Sequence, residues 1–318
     1  SSTTYYALAS GTCNTTTCAS LTVNVNTNSV APTSVTASVN PVCPGSSTTL
    51  TVNGGSLGTG ASWQWYSGSC GGTSVGSGSS ISVNPGSSTT YYALASGTCN
   101  TTTCASLTVN VNTNSVAPSS VSASVNPVCP GSPTTLTVNG GSLGTGAGWQ
   151  WYSGSCGGTS VGSGSSISVS PGSSTTYYVL ASGTCNTTGC ASLTVNTNTL
   201  SVAPLSVSAT VNPICSGSPS VLSVNGGSLG TNASWMWYSG SCGGSYVGTG
   251  SSIAVSPTAT TSYFVLAQGD CNTTLCASVS LNVTPVSVDA GTDQTICSGE
   301  STNLTATGTG SFTWSYMG

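Results

Sequence analysis

The sequence predicts an all-β chain of tandem two-sheet sandwiches, and three observations carry that expectation. The 318 residues repeat with a period of 86: the run Tyr5-Tyr6-Ala7-Leu8-Ala9-Ser10-Gly11 returns at Tyr91, again at Tyr177 with Val179, and in altered form at Tyr263 with Phe264. Self-similarity at a fixed period marks a tandem array of one module. Gly, Ser, Thr and Asn dominate while helix formers are sparse. Short alternating runs recur between Gly, Pro and Asn punctuation, the pattern of half-buried strands and turns.

Within the repeat that starts at Val30, the strand-like runs are 34–39, 48–52, 62–67, 80–83, 89–95 and 106–111. Six or seven short strands in 86 residues fit one immunoglobulin-like sandwich. Residues 30–115 and 116–201 differ at only nine positions, so the second must repeat the fold of the first. The sequence therefore divides into the C-terminal strands of one such domain at 1–29, domains at 30–115, 116–201 and 202–286, and the first part of a divergent immunoglobulin-like or PKD-like domain at 287–318. Beginning and ending in mid-repeat, it reads as an interior stretch of something longer. Val30-Ala31-Pro32 recurs as Val116-Ala117-Pro118 and Val202-Ala203-Pro204 at the joints, and such short Pro-containing connections should restrict swing between domains.

Trp63 and Trp65 share one strand face because side chains alternate with period two. The pair returns as Trp149 and Trp151, then as Trp235 and Trp237. A sandwich core is the reading chosen for all six, since a tryptophan on the third strand is expected there. A platform for stacking sugars is the rival role, and Tyr66, Tyr152 and Tyr238, on the opposite face, are the better surface candidates for it.

Each repeat carries four cysteines, in the first case Cys43, Cys70, Cys99 and Cys104. An even number per repeat in a chain that reads as secreted implies disulfides. Strand geometry puts Cys43, before the second strand, and Cys70, after the third, at one end of the sandwich; Cys99 and Cys104 bracket a turn at the other. The expected pairs are Cys13–Cys18, Cys43–Cys70, Cys99–Cys104, Cys129–Cys156, Cys185–Cys190, Cys215–Cys242 and Cys271–Cys276, with the partner of Cys297 lying outside residues 1–318. In the chain-entropy account a loop of 28 residues stabilises by about 3.6 kcal/mol and one of six by about 2 kcal/mol. The alternative links Cys43 to the turn of the next repeat, near Cys185 and Cys190, and would weld neighbours together. A zinc site is disfavoured, because thiolates would lack any neighbouring cation and the spacing has no CxxC knuckles.

The charge inventory narrows function sharply. There is no Lys, Arg or His, and the only acids are Asp270, Asp289, Asp293 and Glu300. No general base of the usual kind, phosphate clamp or carboxylate pair is available in residues 1–269, so an enzyme is not expected and no catalytic, metal or cofactor residue is assigned. Nucleic-acid binding lacks its cations, a Ca²⁺ module lacks clustered carboxylates, and an isopeptide cross-link lacks its lysine. No apolar run approaches the ~20 residues of a membrane span, so no direct insertion is expected here. Ice binding would need flat Thr ladders, whereas Thr101–Thr103 lie in a turn. The Asn-x-Ser/Thr sites at Asn14, Asn100, Asn186, Asn232, Asn272, Asn282 and Asn303 are read as chance in an Asn/Thr-rich chain.

The stretch 297–308 (CSGESTNLTATG), preceded by DAGTDQT at 289–295 and followed by Thr313-Trp314-Ser315, resembles the immunoglobulin-like and PKD-like repeats of giant surface proteins in Bacteroidota. So do WYSGSCGG from Trp65 and the run from Tyr91-Tyr92 to GTCNTT at 97–102. The similarity covers essentially every repeat; one departure is that relatives often carry Arg and Glu where this chain has Leu94 and Ser96. It implies an extracellular location, type IX secretion, and a place in gliding adhesins or in the filaments of prey-catching appendages. The expected function is thus the structural shaft of a cell-surface appendage used in attachment, gliding or prey capture. A repeated glycan- or surface-binding adhesin module is the alternative. Near-zero charge leaves little to repel a neighbouring copy, so a bundle of identical chains is the expected partner arrangement.

Overall fold

A computed structural model describes residues 1–315. It is built from strands, with no helix among the described residues. A short hairpin, β1 (Thr3–Ala7) with β2 (Ala19–Val23), comes first. The repeat at 30–115 then supplies β3 (Ser34–Ala37), β4 (Thr48–Asn53), β5 (Ser62–Ser67), β6 (Thr73–Ser77), β7 (Ser80–Val83), β8 (Thr89–Ser96) and β9 (Ala105–Val109). These form two antiparallel sheets ordered β3-β4-β7 and β6-β5-β8-β9. The same two sheets recur in the next repeats, from Ser120–Ala123 to Ala191–Val195 and from Ser206–Ala209 to Ala277–Leu281.

Alternation explains the core. Trp65 pairs with Ala93 and Trp63 with Ala95 across β5 and β8, so each large ring faces a small partner. Trp65, Ala93, Ala95 and Val109 are fully buried, and Val35, Val42, Leu50, Val83 and Tyr91 close around Trp65 from both sheets. In the repeat at 202–286 the corresponding cluster is Ile214, Leu222, Trp235, Trp237, Val255, Tyr263, Val265, Ala267, Ala277 and Leu281. All six tryptophans are buried. The indole N–H of Trp65 donates to the Gly78 carbonyl at 2.8 Å, and Trp151 and Trp237 do the same to Gly164 and Gly250, which satisfies the one polar atom each ring brings inside. Burial pushes the phenols of Tyr91, Tyr177 and Tyr263 up from their ordinary value.

Strand β6 was not among the runs expected from sequence. Its Thr-Ser-Val-Gly-Ser has no apolar alternation, it lies at a sheet edge, and its register against β5 shifts between Trp65 and Tyr66. Such a bulge turns an edge strand away from regular pairing. The expected run 106–111 is also shorter as a strand, because Val111 leaves β8 and forms a parallel bridge with Val42.

The chain divides into two compact units. One comprises Ser1–Ser122, Thr137–Ser166 and Tyr177–Leu193; the other comprises Ala123–Leu136, Ile167–Thr176 and Thr194–Gly318. Every disulfide described below closes within one of them.

Candidate functional site: the repeat joints

The residues that distinguish this chain chemically gather where one repeat follows another. Ser29 precedes the Val-Ala-Pro joint, and all three of its polar positions are occupied. Its N–H donates to Asn100 Oδ1 at 2.8 Å, its carbonyl accepts from Asn100 Nδ2 at 2.9 Å, and its Oγ accepts from the Gly58 N–H at 2.9 Å. The set returns as Ser115 with Asn186 and Gly144, and as Ser201 with Asn272 and Gly230. Those serines are buried, which makes their pairing obligatory rather than optional. Gly58 has no alternative: a Cβ there would fall on the Thr27 carbonyl oxygen and the backbone of Asn28 and Ser29. Asn100 reaches the joint from the turn between β8 and β9, which is closed by the Gly97 N–H donating to the Asn100 carbonyl at 3.1 Å.

A second asparagine organises the other end of the domain. Asn40, in cis linkage to Pro41, donates from Nδ2 to the Thr108 carbonyl and accepts at Oδ1 from the Asn110 N–H. The following turn, where the Ser46 N–H donates to the Cys43 carbonyl, holds Cys43 half-buried. Asn126 and Asn212 repeat these contacts ahead of Cys129 and Cys215.

The disulfides differ from those expected. Cys43 bonds to Cys185 and Cys129 to Cys271, each across 142 residues and with Cα atoms 5.4 Å apart. Cys70 bonds to Cys104, Cys156 to Cys190 and Cys242 to Cys276, each across 34 residues. The pairs Cys43–Cys70, Cys99–Cys104, Cys129–Cys156, Cys185–Cys190, Cys215–Cys242 and Cys271–Cys276 are therefore corrected. Cys13–Cys18 is corrected too, since both cysteines are unpaired and exposed. The structure follows the alternative in which the base turn of one repeat is joined to the upper turn of the next.

The physical reason lies in the turns. Sharing an end of the sandwich does not fix which neighbour a cysteine faces. Gly68 and Gly71, at φ of 83° and 76°, redirect the turn after β5 and bring Cys70 within 5.9 Å of Cys104, Cα to Cα. Cys43 and Cys185 are then left as the pair at the joint. Cys99, Cys215 and Cys297 are unpaired as well.

Asn100, Asn186 and Asn272 were read from the sequence only as chance Asn-Thr-Thr sites, and their clamp on the joint was missed. Their placement directly after the third cysteine of every repeat was the available signal. Replacing Asn186 by Ala should leave the buried Ser115 N–H and carbonyl without partners, at a cost of about 1–3 kcal/mol for each group. Amide exchange at Ser115 should accelerate by roughly 5- to 150-fold, as expected for about 1–3 kcal/mol. An unchanged rate would show that the clamp contributes nothing to the joint.

The proposed sugar-stacking faces of the tryptophans are not available, because all six rings are buried. On the opposite face of the larger sheet, Tyr66 pairs with Tyr92, Tyr152 with Tyr178 and Tyr238 with Phe264, all half-buried. Asp270 accepts a 2.8 Å hydrogen bond from Asn232 Nδ2, a contact particular to its repeat. No helix among the described residues is long and apolar enough to cross a membrane.

Repeated two-sheet sandwiches with a buried third-strand tryptophan and joints tied by side chains define the class: a tandem array of immunoglobulin-like domains. The model of the family described as "Ig-like domain CHU_C associated" matches residues 30–112, 116–204 and 202–285, and the chain belongs to this family. No curated protein matches. Among solved structures, ICAM-5 ectodomain D1–D4 is similar at 12% identity and a TM-score of 0.40, over 89% of this chain and 83% of that one. Extracellular domains 3–5 of Drosophila OTK are similar at 12% identity and a TM-score of 0.33, over 80% of this chain and 99% of that one. The N-terminal eight immunoglobulin domains of DSCAM isoform 1.30.30 give 14% identity and a TM-score of 0.37, over 89% of this chain and 40% of that one.

Proposed function

We propose that this chain is a structural region of an extracellular surface filament or giant adhesin, bearing tension as the shaft of an appendage used in attachment, gliding or prey capture. The observation that carries the reading is the pair of bonds Cys43–Cys185 and Cys129–Cys271, each of which joins successive repeats rather than closing one repeat on itself. A module that only had to present a binding face would gain nothing from covalent joints, whereas a shaft under tension gains continuity. Disulfides also require an oxidising compartment, in keeping with a surface location reached by type IX secretion. The near absence of charge adds a bundle of identical chains running side by side, in register at the repeat. The role is non-enzymatic.

Antibodies raised against residues 30–286 test this reading on intact cells. Labelling along the length of a surface appendage is the expected result; labelling confined to appendage tips or to the cytoplasm would contradict it. A glycan array comparing the oxidised chain with a buffer blank separates the adhesin alternative, since the shaft reading expects no retained glycan.

A further inference from the structure

The two long disulfide loops overlap. Cys43–Cys185 closes residues 43–185, and Cys129–Cys271 closes residues 129–271, so the second loop opens 56 residues before the first has ended. We infer that this overlap gives the chain a second covalent path through every joint between Cys43 and Cys271, so that no single backbone break in that span can sever it. This property follows from covalent topology alone and stands whether or not the chain is a shaft.

Each stretch of the span is covered by at least one bond. A break in the joint at 116–118 separates Cys43 from Cys185 along the backbone, and their disulfide alone holds the halves. A break at 202–204 is bridged only by Cys129–Cys271. A break near Gly172 is spanned by three bonds, because Cys156–Cys190 crosses it as well. Pairing within each repeat would give the opposite result at the joints, where one cut would release everything beyond it. Joints are also where the break matters most, since a sandwich nicked inside its own core is still held by its sheets. A chain exposed to extracellular proteases therefore tolerates a first cut at either of these two joints.

The sequence supplies an unusually clean test. With no Lys or Arg anywhere, trypsin has no site, and one introduced arginine creates the only one. Val30, Val116 and Val202 occupy the same place in three successive joints, each 58–59% exposed and each followed by Ala. Variants V30R, V116R and V202R of the full chain would have their free thiols alkylated to block exchange, then be unfolded in urea without reductant, digested, and run on a denaturing gel.

V116R and V202R should migrate at full mass without reductant and separate completely into two fragments with it. V30R, cut ahead of Cys43, should release its N-terminal fragment in both conditions. Adding C43S to V116R, or C129S to V202R, should free the fragments without reductant, whereas adding C70S to V116R should not. Separation of V116R or V202R before reduction would overturn the inference, as would retention of full mass after C43S or C129S is added. Digestion of the unfolded chain makes the result independent of whether any variant folds less well than the parent once its disulfides have formed.

Discussion

Stretched to its limit without reductant, the span from Cys43 to Cys271 should extend to only a small fraction of its backbone length. The backbone between them is 228 residues, roughly 800 Å when fully extended. The shortest covalent route crosses to Cys185, follows five residues to Cys190, crosses to Cys156, returns 27 residues to Cys129 and crosses to Cys271. That route is roughly 130 Å long. Single-molecule pulling between handles placed outside Cys43 and Cys271 should therefore show the unfolded contour growing by roughly 670 Å on reduction. The pairing expected from sequence would leave an oxidised route of roughly 500 Å and a gain of only about 300 Å. The two arrangements differ by more than any uncertainty in extension per residue, so the increment identifies which one exists.

Trp65→Ala should destabilise the first full repeat by about 3–5 kcal/mol, the range for losing a large buried aromatic. Trp65 is fully buried at the centre of its cluster, and its removal also strips the Gly78 carbonyl of its donor. Because Trp237 anchors a separate cluster, the loss should stay local. Hydrogen exchange resolved by peptide should show protection falling across 34–109 while 206–281 retains it. Trp65→Phe should cost less, keeping much of the ring volume but not the hydrogen bond. Equal loss in both repeats would mean that the sandwiches unfold as one unit, and the local account of stability would fail.

What the sequence disclosed, and what it withheld, divides along the range of the interactions. The period of 86 and the alternation around Trp63 and Trp65 are legible along the chain itself, and they become the repeated sandwich and its core positions. β6 was illegible because an exposed edge strand needs no apolar face and a bulge breaks its alternation. The disulfides were misassigned because strand order gives only the end of the sandwich at which a cysteine lies, while the turn at Gly68–Gly71 delivers Cys70 to Cys104 and leaves the joint cysteines to each other. The clamp of Asn100 on Ser29 spans 71 residues, so the recurrence of Asn after each third cysteine marks the position but not the partner.

The most direct measurement is the identity of the peptide joined to Cys43. Non-reducing peptic digestion after alkylation of free thiols, followed by mass spectrometry, should recover Cys43 linked to Cys185 and Cys129 linked to Cys271, with Cys70 joined to Cys104. Recovery of Cys43 linked to Cys70, with Cys99 linked to Cys104, would place every bond inside a single repeat and contradict the covalent joint on which this account rests.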